Sequence, residues 1–141
     1  IGKSWVGFDS DAGIVELANK LHPGIKITKE NIYDIPYKSN SFDLVACTEV
    51  LERLENPKKA YKELLRVSRK YVLLSVPNEP FFTLQRIGRL KNLLQFGKHP
   101  EYVQRWTVPG FTKFVKVRNV KIVARKFPLP RTMVIVKKKS I

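Results

Sequence analysis

Ser4-Trp5-Val6-Gly7-Phe8-Asp9-Ser10-Asp11 begins as a short β-rich run, ends that run on an acid, and passes at once into helical periodicity. Ser10 suits the N-cap, and Asp11 falls in the first turn, where the helix dipole favours an acid. Ile14, Leu17, Ala18 and Leu21 then form one apolar stripe until His22-Pro23-Gly24 stops the helix. Ile25 to Ile27 is a brief strand, Glu30 to Pro36 a loop, and Lys38-Ser39-Asn40-Ser41 carries turn chemistry. Phe42-Asp43-Leu44-Val45-Ala46-Cys47 reads as a buried strand.

The same alternation continues. Asn56-Pro57 is a strong helix start, with a capping side chain followed by proline at the first helical position, and Ala60, Tyr61, Leu64, Leu65 and Ser68 share one face of a helix expected to end near Lys70. Tyr71 to Val76 is apolar almost throughout, as a central strand covered on both sides must be. Phe81 to Phe96 reads as a basic amphipathic helix, and Thr107 can cap a short helix through Phe111 and Phe114. Val120 to Phe127 and Thr132 to Val136 look like two strands joined by Pro128-Leu129-Pro130. The order predicts an α/β, Rossmann-like, doubly wound and mainly parallel sheet that closes with an antiparallel C-terminal hairpin.

Composition narrows the class. The 141 residues are 28% charged and 43% hydrophobic, with average proline and glycine usage and no low-complexity tract, which argues for one domain with a core of its own. No apolar run approaches the roughly 20 residues of a membrane-spanning helix. Cys47 is the only cysteine and no leader-like segment opens the sequence, so the expectation is a reducing, cytoplasmic setting. The net charge of +15 is unevenly spread: residues 1–64 hold nine bases and ten acids, whereas residues 65–141 hold 18 bases and only Glu79 and Glu101. A half so basic suits polyanions or acidic substrates, or else is a lysine-rich solvated surface.

A strand ending in an acid and followed by a helix is what nucleotide-binding doubly wound folds use to hold a ribose, the carboxylate accepting from the sugar hydroxyls. Asp9 has that place. Val6-Gly7-Phe8-Asp9-Ser10 is followed in order by Asn31-Ile32-Tyr33-Asp34-Ile35-Pro36-Tyr37, by Ser41 through Glu52, and by Ser75-Val76-Pro77-Asn78. This set resembles the class I S-adenosylmethionine-dependent methyltransferases, and more narrowly the branch of ubiquinone- and menaquinone-biosynthesis and small-molecule methyltransferases, over residues 4–78. The resemblance implies S-adenosylmethionine as cofactor, Asp9 on its ribose diol, Phe8 and Ser10 flanking the adenosine, and the backbone of Ile32 at the ring edge. Asn31 stands where the family has an aspartate that touches the adenine amino group; an amide carbonyl still accepts there, more weakly than a carboxylate. Cys47 and Thr48 would face the methionine end. Glu49 is the candidate general base, with His22 and His99 the only imidazoles.

Two departures from the family matter. Some relatives carry Glu-x-x-Glu-His and bind a divalent metal with it, but Glu49-Val50-Leu51-Glu52 is followed here by Arg53, which is no metal ligand, so no metal is expected. The family's Gly-x-Gly-x-Gly loop, which follows a first strand lying between the strands that end at Asp9 and Cys47, is not found before Ser4. The expectation is one partial methyltransferase domain over 1–141, completed by on the order of 40 upstream residues or by a second copy.

Residues 78–114 are the expected substrate lid, with Phe81, Arg86, Tyr102 and Trp106 as substrate-binding candidates that suit an apolar or anionic small molecule. Two other readings stay open: an RNA-directed methyltransferase or nucleic-acid-binding module that uses the basic half, and a non-catalytic scaffold of the same fold.

Overall fold

The computed structural model describes residues 4–79 and 103–139. They fall into two compact units, residues 1–37 and residues 38–141.

In the first unit, strand β1 (Val6–Asp9) leads into helix α1 (Ala12–Leu21), and β2 (Lys26–Lys29) returns parallel to β1, with Val6 opposite Lys26 and Asp9 opposite Lys29. The N-cap of α1 is Asp11 rather than Ser10. Its Oδ1 accepts from the backbone N–H groups of Gly13 at 2.7 Å and Ile14 at 3.1 Å. A carboxylate reaches both orphan donors and opposes the helix dipole, which a serine hydroxyl does less well. Asn19 ties α1 to β2, its Nδ2 donating to the Ile27 carbonyl and its Oδ1 accepting from the Ile27 N–H. The apolar stripe of α1 has no buried residue: Ile14, Leu17 and Leu21 are 52, 54 and 65% exposed.

The second unit carries a four-stranded sheet in the order β3-β4-β6-β5. Strand β3 (Phe42–Thr48) runs parallel to β4 (Ser68–Pro77), while β6 (Arg131–Lys138) is antiparallel to both β4 and β5 (Val120–Lys126). Between β3 and β4 lie a 3-10 turn, Leu51–Arg53, and helix α2 (Pro57–Val67); α3 (Val108–Val115) precedes the hairpin. Asn56 caps α2 through Lys59 N–H with Pro57 at the first position, and Thr107 caps α3 through Gly110 N–H, as the sequence predicts. Helix α2 ends at Val67, three residues before the predicted Lys70, because Ser68 is already extended and belongs to β4, its Oγ donating to the Tyr71 carbonyl.

One face of the sheet forms the core. Val72 opposite Val136, Leu74 opposite Val134 and Val76 opposite Thr132 are all buried, and Leu64 and Val67 of α2 and Phe111 and Val115 of α3 are buried with them. Each such aliphatic side chain contributes roughly 1.5–3 kcal/mol on burial. The exposed Arg69–Asp43 ion pair at 2.6 Å, of the kind worth little in water, is minor beside them. Tyr61 locks the two helices together: its hydroxyl donates to the Val115 carbonyl at 3.0 Å and its ring lies 5.5 Å from that of Phe114. Among the described strands, β1 pairs only with β2 and β3 only with β4.

Candidate functional site

The sequence candidates divide between the two units. In residues 1–37, Asp9 ends β1 half-buried, its carbonyl accepting from Glu30 N–H and its Oδ1 accepting from Asp11 N–H at 2.9 Å. One carboxylate oxygen is thus fixed by the backbone two residues on. Oδ2 has no partner among the described residues. Phe8 is half-buried beside it in sequence, and Ser10 is exposed. The stretch from Asn31 is a tight turn in which the Asn31 carbonyl accepts from Asp34 N–H at 3.0 Å and its Oδ1 from Tyr33 N–H at 2.9 Å. The oxygen expected to meet an adenine amino group is therefore oriented by its own turn and keeps a second lone pair. Ile32 is half-buried in that turn.

In residues 38–141 the end of β3 forms a polar rim. Thr48 is exposed, and Glu49 has a φ of 59°, in the left-handed region that costs a non-glycine residue conformational energy. What holds it there is visible: its N–H donates to the Ser75 carbonyl at 3.0 Å, and its Oε1 lies 3.1 Å from Arg131 Nε and 3.5 Å from Ser75 Oγ. Arg131, the partner of Glu49, is not among the residues that the sequence singles out. Its only local signal is its place as the first residue after Pro128-Leu129-Pro130, and it reaches Glu49 because the antiparallel register sets it opposite Pro77, at the end of β4 beside β3.

Behind this rim the environment turns dry. Glu52 is 1% exposed, and neither carboxylate oxygen has a hydrogen-bond partner among the described residues. Burial, with some help from the Glu49 charge, pushes its carboxyl up to about 7. Its carbonyl accepts from the N–H groups of Val103 and Gln104, so that segment covers it. Cys47 is 5% exposed, and burial, then the Glu52 charge, raises its thiol to about 12. The thiolate is the reactive form, so Cys47 can pack but not attack. A thiol-specific reagent near neutral pH should label the native chain at least about a hundredfold more slowly than the urea-unfolded chain; equal rates would remove Cys47 from the interior.

Phe81, Arg86 and Tyr102, His99, and most of the expected lid over 78–114 lie outside the described residues. Trp106 is described and belongs to an aromatic cluster, its ring 4.7 Å from Phe114 and 5.5 Å from Phe111. Its carbonyl accepts from Glu79 N–H at 2.8 Å, which sets the two ends of the intervening segment side by side. His22 closes α1 as its C-cap residue. Among the described residues no group of three or more His, Cys, Asp and Glu is placed to hold a metal ion.

Three kinds of known protein are similar to this chain. A family model described as a methyltransferase domain matches residues 1–75. An uncharacterized protein of Methanocaldococcus jannaschii is 26% identical over 118 residues, covering 82% of this chain and 57% of its own length; the demethylmenaquinone methyltransferase of Renibacterium salmoninarum is 31% identical over 68 residues, covering 48% and 29%. The chain thus spans about half or less of these curated relatives. A solved structure of a S-adenosylmethionine-dependent methyltransferase from Thermotoga maritima matches with a TM-score of 0.71 at 17% identity, over 94% of this chain and 72% of that one, a likeness of fold.

Proposed function

The chain belongs to the methyltransferase-domain family, and from that membership we propose that it acts in S-adenosylmethionine-dependent methyl transfer to a small-molecule acceptor, apolar or anionic in character. The observation that carries this reading is Asp9: a carboxylate at a strand end, oriented through Oδ1 by Asp11 N–H, with Oδ2 left to accept from a ribose diol. The residues of the turn fit the same ligand. Asn31 accepts from the adenine amino group with the lone pair its turn leaves over, Ile32 meets the ring edge, and Phe8 and Ser10 flank the adenosine. At the end of β3, Cys47 would serve by contact alone, since its buried thiol stays protonated.

When bound, S-adenosylmethionine supplies an electrophilic methyl group for in-line displacement, a reaction that asks the protein mainly for position and dryness. Glu49 is our candidate among the described carboxylates to take a proton from an acceptor. Arg131 and Ser75 fix the direction of its Oε1, and the left-handed backbone turns it out of line with β3. Calorimetric titration of the full-length protein with S-adenosylhomocysteine, the demethylated product, tests the reading. Saturable binding in the micromolar range is expected, and absence of any heat at millimolar ligand would leave a scaffold of the same fold instead.

A further inference from the structure

The basic half of the chain builds a second feature that methyl transfer does not use. A cavity of about 870 Å³ opens between α2, α3 and the start of β5, and none of its fifteen lining residues is acidic while seven are basic. Two of the seven are engaged: Arg66 makes a two-bonded pair with Glu63, and Lys138 donates to the Ser68 carbonyl and to Asn40 Oδ1. Lys58, Lys62, Lys113, Lys116 and Arg118 have no acidic partner among the described residues. Five uncompensated cations around one hollow repel each other and favour a polyanion.

The wall between these charges is aromatic. Trp106 and Phe114, both half-buried, line the cavity with Tyr61 behind them, and the buried indole N–H of Trp106 has no partner among the described residues. An acidic peptide would meet the charges and leave the rings unused. A ligand that carries flat, acceptor-bearing rings on a string of phosphates meets both. Duplex bases are stacked inward and cannot reach such a wall, whereas the bases of a single strand can.

The groove also lies away from the rim described above. Arg131 and Lys138 are the two ends of β6, which at about 3.3 Å per residue sets them roughly 23 Å apart; Glu49 pairs with the first and the cavity takes in the second. We propose that this groove between α2, α3 and β5 binds single-stranded nucleic acid, phosphates on its lysines and arginine and bases against Trp106 and Phe114, at a place on the second unit separate from the rim that holds Glu49.

The two tryptophans of the chain make the test direct. In the Trp5→Phe background Trp106 is the sole indole, and short mixed-sequence RNA and DNA single strands should quench its fluorescence on binding, while heparin should not. The triple variant Lys113→Ala, Lys116→Ala, Arg118→Ala should bind about tenfold or more weakly, with a salt dependence shallower by about two in log–log slope. It should keep the wild-type affinity for S-adenosylhomocysteine, so the fate of the groove is read apart from that of the cofactor site. Binding of the single strands without quenching, displacement of the strand by an acidic peptide at similar concentration, or an unchanged affinity in the triple variant would each overturn the proposal. Preference for RNA or for DNA is read from the two single-strand arms and supports it either way.

Discussion

Replacing Asp9 by alanine should weaken S-adenosylhomocysteine binding by about a hundredfold, and replacing it by asparagine by about tenfold, both read by calorimetry on the full-length protein. The alanine figure follows from losing charge-assisted hydrogen bonds to a sugar diol, each worth about 1.5–3 kcal/mol, at about 1.4 kcal/mol per decade of affinity. The asparagine figure is what separates function from structure. Asp9 Oδ1 accepts from Asp11 N–H at the entry of α1, so alanine removes a local bond as well as a ligand contact. Asparagine keeps an acceptor for Asp11 N–H and should leave the thermal midpoint within a few degrees of wild type, yet its second group is an amide donor where a ribose needs an acceptor. A purely structural Asp9 would make alanine harmful and asparagine harmless to binding. Ser10→Ala is the control: Ser10 is exposed and Asp11 is the N-cap, so little change is expected in stability.

What was legible in the sequence was local. The acid at the end of β1, the Asn56-Pro57 start of α2, the Thr107 cap of α3 and the Pro128-Leu129-Pro130 join between β5 and β6 each rest on a few adjacent residues, and each is in place. The motifs from Val6 to Asn78 pointed to the class I S-adenosylmethionine-dependent methyltransferases, which the family match over residues 1–75 and the menaquinone-pathway relative bear out. What was not legible depends on register. Nothing near Arg131 in sequence says that it will face Glu49; that follows only once β6 pairs with β4 and β4 with β3. The left-handed turn at Glu49 is likewise invisible, because its backbone is held by Ser75 on another strand rather than by a glycine. The cap of α1 falls one residue beyond Ser10, since Ser10 and Asp11 are both good capping residues and the Asp11 carboxylate reaches two amides. Ile14, Leu17 and Leu21 follow the helical period in α1 yet are exposed, because periodicity says which residues share a face and not what covers it. The groove basicity was visible as composition, whereas its shape needed α2 and α3 to meet through Tyr61 and Phe114.

The second large effect is expected at Glu52, as a stability that falls as pH rises. A buried carboxyl with no hydrogen-bond partner among the described residues holds its proton up to about 7 in the folded chain, against an ordinary value of 4.5. The cause is burial first; its own backbone amide and Arg53 oppose the shift, and Glu49 adds to it. Between these two pH values the unfolded chain gives up the proton and the folded chain keeps it, so the folded state binds more protons and loses stability with each step upward. Below the lower value both states are protonated and no cost arises; above the upper value the full cost has been incurred and the curve flattens. At about 1.4 kcal/mol per pH unit the loss is on the order of 3 kcal/mol, large against the 5–15 kcal/mol of an ordinary domain. Glu52→Gln is nearly isosteric and cannot ionise. Urea unfolding followed at about pH 5 and about pH 8 should therefore show the wild type losing stability across the interval, the variant holding nearly constant, and the variant the more stable of the two at the higher pH. The Cys47 thiol is an internal check, because part of its elevation comes from the Glu52 charge: in Glu52→Gln its labelling in the native state should quicken somewhat at alkaline pH. A wild type whose stability is flat or rising from pH 5 to pH 8, alongside a variant that behaves the same, would mean that Glu52 is ionised and paired in solution and that the rim behind Glu49 is wetter than its burial indicates.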